Sequence, residues 1–329
     1  MRPMLIFGFA LLSSGVIAQE ASVAHKVLRL MGTRFELTAV ADNDAQAWAA
    51  VETGIAEIRR IEALISSWDE HSQTSEINRQ AGLAPVEVDA ELYELIFRAL
   101  KVSGLTGGAF DISFASMERI WQFDGQEQTL PDPAIVAEAR QLIDWHKIRL
   151  DAEAHTVFLT EPGMRIGFGA IGKGYAANRA KAIMREMPGV RGGLVNASGD
   201  LISWGESDRD EGWTIKIADP RQQGRALAWL HVGDMAVVTS GDYERYFTSN
   251  GQRYAHIIDP RTGYPTTGVK SVTIICPDAE LADALATSVF ALGAEEGLHL
   301  LNQLNGIEGL IVSDTDEILT SDHLQINYY

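Results

Sequence analysis

Asn250-Gly251 stands between Tyr246-Phe247 and Tyr254–Ile258, and a two-residue turn of that kind joins only antiparallel strands. The surrounding region, from Leu227 onward, is β-rich. Trp229-Leu-His-Val232, Ala236-Val-Val-Thr239 and Ser271–Cys276 alternate or run apolar. Helical spacing dominates elsewhere. Asp44 to Ile65 carries Val51, Ile55, Ile58, Ile61 and Leu64 on one face. Ala90 to Val102 ends at Gly104 and Gly107-Gly108. Ile135 to Trp145, Tyr175 to Met187, Ala279 to Leu292 and Gly297 to Leu304 read as further helices. Short strands are predicted at 148–150 with 157–160, at 193–196, at 214–217 and, last, at 309–312. Adjacent hairpins mixed with packed helices predict an α+β fold rather than a doubly wound sheet. No linker, charge block or repeat divides the chain, so one interwoven domain is expected.

The first residues form a separate unit. Met1-Arg-Pro-Met4 precedes an uncharged run from Leu5 to Ala18, too short to span a bilayer, and Gln19-Glu20 ends it abruptly. Residues 1–18 therefore predict a secretory signal peptide, leaving 19–329 as a soluble periplasmic protein. No cysteine follows the run, so no lipid anchor is expected there. Removing Arg2 takes the formal charge from −18 to about −19. So acidic a surface repels nucleic acid, and an anionic nucleotide would need a cation and local donors. Cys276 is the single cysteine, which excludes an internal disulfide; its apolar strand predicts a small buried hydrophobe.

Several segments bring chemistry-bearing residues together. In the predicted Ala279–Leu292 helix, Asp283 and Thr287 share a face four residues apart, beside the stripe Leu281, Leu285, Val289, Leu292. Two hard oxygens at that spacing suit Mg²⁺, but a solvated aspartate and a threonine bonded to its own helix would share the pattern. His256 lies in a strand that Asp259-Pro260 ends, and is either a general base at a cleft lip or an ordinary strand residue. Lys173, between Gly172 and Gly174 at a helix entry, suits anion binding; a flexible turn with a solvated lysine is the alternative. Thr106-Gly-Gly-Ala-Phe-Asp111 reads as close backbone approach with a carboxylate, or as a helix C-cap. Trp68 offers a ring for stacking on a planar ligand. No Gly-x-Gly-x-x-Gly follows a strand with an acidic residue some twenty on, and neither a Walker loop nor a Gly-x-Ser-x-Gly elbow is present.

Their order is more specific than any one of them. Met31-Gly-Thr33, Trp68 with Ser75-Glu-Ile-Asn78, Gly107-Gly-Ala-Phe-Asp111 and Ala170-Ile-Gly-Lys-Gly-Tyr175 come first. Leu194-Val-Asn196, Gly199-Asp200, Thr239-Ser-Gly241, His256-Ile-Ile-Asp-Pro-x-Thr-Gly-x-Pro265 and Asp283-Ala-x-x-Thr287 follow. This series resembles the FAD:protein FMN transferases, the ApbE-like flavin transferases, from about Lys26 to the end. The resemblance implies a T-fold-like arrangement of mixed and antiparallel sheets packed with helices. It implies FAD as donor, transfer of FMN to a threonine hydroxyl of an exported or membrane redox partner protein, and release of AMP. It further implies Mg²⁺ held by Asp283, Thr287 and the Ala170 carbonyl, and flavin contacts at Met31, Trp68, Ala109, Phe110, Asp111, Lys173 and Ile258. His256 is the candidate base. FAD hydrolysis to FMN and AMP, or a flavin carrier without catalysis, are the alternative activities. The chain departs from the family pattern at Gly167, often aspartate, and at Ser113-Phe-Ala-Ser116.

Overall fold

The computed structural model describes residues 21–117, 120–207, 212–222, 224–243 and 245–329. The expected signal peptide lies outside them.

An eight-stranded sheet organises the fold. Its strands are Ser22–Leu30, Thr33–Ala41, Val190–Ala197, Asp200–Gly205, Ala236–Gly241, Val269–Cys276, Glu308–Ser313 and Ile318–Thr320. They lie side by side in chain order, and every neighbouring pair is antiparallel. No parallel crossover is needed, and the helices enter as excursions between neighbouring strands. The expected α+β class is what the structure has.

Side-chain alternation divides the sheet into two faces. Val238, Ile274 and Ile311 enter the core beneath the Asp44–Ile65, Gly172–Arg185 and Ala279–Leu292 helices. Their neighbours Val237, Ile275 and Leu310 point the other way. There they meet a three-stranded sheet of Trp213–Ala218, Ala226–Val232 and Asn327–Tyr328. Ile55, Ile58 and Ile61 are almost fully buried at helical spacing. Each contributes about 1.5–3 kcal/mol relative to an exposed side chain. A third cluster, of Met117, Trp121, Val136, Ile143, Phe247 and Ile258, joins the 112–143 region to the Asn250-Gly251 hairpin. Trp121 stacks on Phe247, and its ring N–H donates to the Gly263 carbonyl at 3.0 Å.

Several expectations shift in the structure. Asn250 and Gly251 both have positive φ, as the hairpin requires, between Tyr246–Ser249 and Gln252–Ala255. His256 sits just beyond that hairpin, between strands rather than within one. The helix expected over 135–145 is Pro133–Arg140, begun by the Asp132 cap. The closing helix is Ala294–Leu301, and two short strands follow Glu308–Ser313. The N-terminal hairpin was not anticipated. Its outer strand is half exposed, so its apolar signal is weak, and only Met31 and Gly32 at positive φ close it.

Candidate active site

The site forms where the start of the Gly172–Arg185 helix crosses the Ala279–Leu292 helix. Gly174 makes the crossing possible: a Cβ there would lie 2.1 Å from the Ala279 carbonyl oxygen and 2.8 Å from the Asp283 Cβ. Asp283 is 3% exposed, and its Oδ2 accepts the Gly174 backbone N–H at 3.0 Å. It is not the solvated aspartate that spacing allowed, because the Ala279–Leu292 helix is packed on nearly all sides. The first turn of the Gly172–Arg185 helix has no side-chain cap of its own. Asp283 supplies one from another helix, which satisfies an orphan donor and places a carboxylate at the positive helix end.

The Ala170 carbonyl lies just outside the Gly172–Arg185 helix, one residue before the Ile171 cap position. Among the described residues no hydrogen bond ends on the Ala170 carbonyl. The hydroxyl of Thr287, half-buried and one turn beyond Asp283, likewise makes no hydrogen bond among them, whereas that of Ser288 beside it donates to the Ala284 carbonyl. A carboxylate, a hydroxyl and a carbonyl oxygen form a hard donor set, which fits Mg²⁺. No three His, Cys, Asp or Glu side chains converge as an alternative metal cluster among the described residues.

Lys173 belongs to the same helical turn and is not in a flexible loop. Its Nζ lies 2.6 Å from Oδ2 of Asp200, a carboxylate 1% exposed at the start of its strand. Burial pushes the Asp200 carboxyl up, and the Lys173 charge opposes that rise. His256 feels the same ammonium. Burial, Lys173 and Arg245 together push its imidazole down to about 4, and its Nδ1 is buried with no hydrogen-bond partner. At neutral pH the ring is therefore uncharged.

The other expected residues differ in what they present. The Met31 methyl abuts Gly172, 3.7 Å from where a Cβ would stand. Ile65 presses on the same glycine, and Trp68, three residues later, is 81% exposed. The Ser66 hydroxyl accepts from the Trp68 and Asp69 N–H groups and fixes that loop. Ala109 and Phe110 are buried, and their backbone N–H groups already donate to the carbonyl and the hydroxyl of Thr106. Asp111 is already engaged: Oδ1 accepts from the Ser113 N–H and hydroxyl, and Oδ2 from the Trp145 N–H at 2.8 Å. Burial still pushes its carboxyl up against those donors. Asp111 lines a cleft of about 520 Å³ with Arg140, Lys147, Pro260 and Arg261. Ile258 packs in the aromatic cluster. Gly167, where an aspartate is common, donates its N–H to the Ile112 carbonyl. Of the expected set, Ala170, Lys173, Asp283 and Met31 gather around one helix start, with Thr287 a turn beyond Asp283. Sequence reasoning gave Asp200 no role; its signal was a lone carboxylate opening the apolar run Leu201-Ile-Ser-Trp204.

Comparison with known proteins identifies the family. The sequence pattern of the ApbE family matches residues 31–311. The chain belongs to the ApbE family. It is similar to the FAD:protein FMN transferase of Treponema pallidum (strain Nichols), 36% identical over 284 residues, covering 82% of this chain and 78% of the relative. Similarity to the FAD:protein FMN transferase of Klebsiella pneumoniae (strain 342) is 34% over 273 residues, covering 82% and 84%. Among solved structures, the ApbE protein of Thermotoga maritima superposes with a TM-score of 0.83 at 31% identity, over 92% of this chain and 97% of that one. The apo flavinyl transferase ApbE of Pseudomonas stutzeri, at 24% identity and a TM-score of 0.79, shares the fold over 92% and 95%.

Proposed function

We propose that this ApbE-family chain is an FAD:protein FMN transferase that attaches FMN to a threonine hydroxyl of a partner protein and releases AMP. One observation carries the reading. Asp283 caps the helix that bears Lys173, and the Ala170 carbonyl just before that helix accepts no hydrogen bond among the described residues, so oxygen ligands and a cation meet at a positive helix end.

Each side chain has a task in that reaction. Lys173 holds phosphate oxygens at the positive end of its helix. Asp283, Thr287 and the Ala170 carbonyl would hold Mg²⁺, which when bound supplies charge neutralisation at the diphosphate. The neutral His256 takes the proton from the acceptor hydroxyl. The hydroxyl oxygen forms a bond to the FMN phosphorus, the bond from that phosphorus to the AMP oxygen breaks, and the proton leaves with AMP or to solvent. Trp68, exposed three residues beyond Ile65, would stack on a flavin or adenine ring. The apolar run 5–18 supports action in the periplasm on an exported or membrane redox partner.

The test incubates the protein with FAD, Mg²⁺ and an exported flavoprotein carrying a candidate threonine, and follows AMP and protein-bound flavin. Stoichiometric AMP and covalent flavin are expected. AMP with free FMN only would identify a hydrolase, and retained FAD with no AMP a carrier; either overturns the reading.

A further inference from the structure

Asp200 is a buried carboxylate that the proposed reaction does not directly use. It points to the helix-covered face of the sheet, with Ile202 and Trp204, and its cross-strand partner there is Val238. Among the described residues Lys173 is the one charge bearing on it. Removing a carboxylate from water costs several kcal/mol, and an apolar pair of similar volume would often serve stability as well. Stability alone therefore gives no reason for the pair.

The two partners differ in freedom. Asp200 is fixed by backbone pairing to Ala197 on one side and Val238 on the other. The turn before it, Ser198 and Gly199, has positive φ at both residues, and the Thr33 hydroxyl donates to the Ser198 hydroxyl at 2.7 Å. Lys173 instead carries its charge on a flexible four-carbon stem. Its side chain is 25% exposed where that of Asp200 is 2%, so the ammonium sits at the boundary between core and site.

We infer that Asp200 is a positioning residue: a rigid buried carboxylate on the sheet that holds the Lys173 ammonium where it meets flavin phosphates. This rests on the reading of Lys173 as a phosphate ligand. Without Asp200, phosphate binding must itself order the lysine stem.

Binding of FAD and of riboflavin, which lacks phosphate, to Asp200→Asn, Lys173→Gln and the double variant tests this. Asp200→Asn is expected to weaken FAD about tenfold, the scale of immobilising one rotamer-rich side chain, and to leave riboflavin unchanged. Lys173→Gln should weaken FAD at least as much, and the double variant no more than Lys173→Gln alone. FAD binding unchanged in Asp200→Asn but weakened in Lys173→Gln would overturn the inference and leave the lysine reading intact. Normal FAD binding by Lys173→Gln would overturn both. Equal loss of riboflavin affinity, or additive effects in the double variant, would also refute positioning. Should Asp200→Asn not fold, Asp200→Leu is read in the same way.

Discussion

Asp283 accepts the backbone N–H of Gly174 at 3.0 Å, and that bond serves as both a helix cap and a part of the site. It satisfies a donor that its own helix cannot, and it fixes a carboxylate at the start of the helix that follows the Ala170 carbonyl. The cap therefore holds in place one of the oxygens that a hard cation would use.

Asp283→Asn and Asp283→Ala separate these roles. Asparagine retains an acceptor for Gly174 but no charge, so it should fold normally and lose Mg²⁺-dependent AMP release. Alanine should lose release and also about 1–3 kcal/mol of stability, the cost of a buried unsatisfied donor. Metal titration and denaturant unfolding of both variants check this. Wild-type release by Asp283→Asn would remove Asp283 from the metal site.

Gly174→Ala places a methyl carbon 2.1 Å from the Ala279 carbonyl oxygen, where no flexible side-chain end can give way. The two helices must separate, at a cost of about 1–3 kcal/mol or more. A lower melting temperature and loss of FMN transfer are expected together. Transfer at the wild-type rate would show that the crossing distance does not set the site.

His256 gives stability and activity a common pH dependence. Its imidazole is held at about 4 in the folded protein against an ordinary 6.5. The unfolded chain therefore binds the proton first, and the contribution of this group is full above 6.5 and is lost as pH falls through about 4. Unfolding free energy measured from pH 7 to 4 should fall more steeply in wild type than in His256→Gln. Parallel curves would mean that the ring is not held neutral. Transfer by the wild type should persist to about pH 4, and His256→Gln should bind FAD but transfer slowly.

Cys276 is 1% exposed, its thiol donates to the Asp278 carbonyl, and burial pushes it up to about 11. The native protein should resist iodoacetamide at pH 8, with one equivalent incorporated only after denaturation. Rapid labelling of the native chain would contradict that burial.

Much of this protein can be read locally. The Asn250-Gly251 hairpin, the buried face of Asp44–Ile65 and the apolar burial of Cys276 depend on turn chemistry and periodicity over a few residues, which the sequence displays directly. The order of motifs along the chain likewise marks the family. Tertiary structure alone decides that Asp283 is buried, that it caps a helix 109 residues away, and that Lys173 finds Asp200. Periodicity places a residue on a face of its own element but does not say what packs there. A carboxylate at helical spacing looks the same whether it meets solvent or the open end of another helix, and only the crossing at Gly174 distinguishes them.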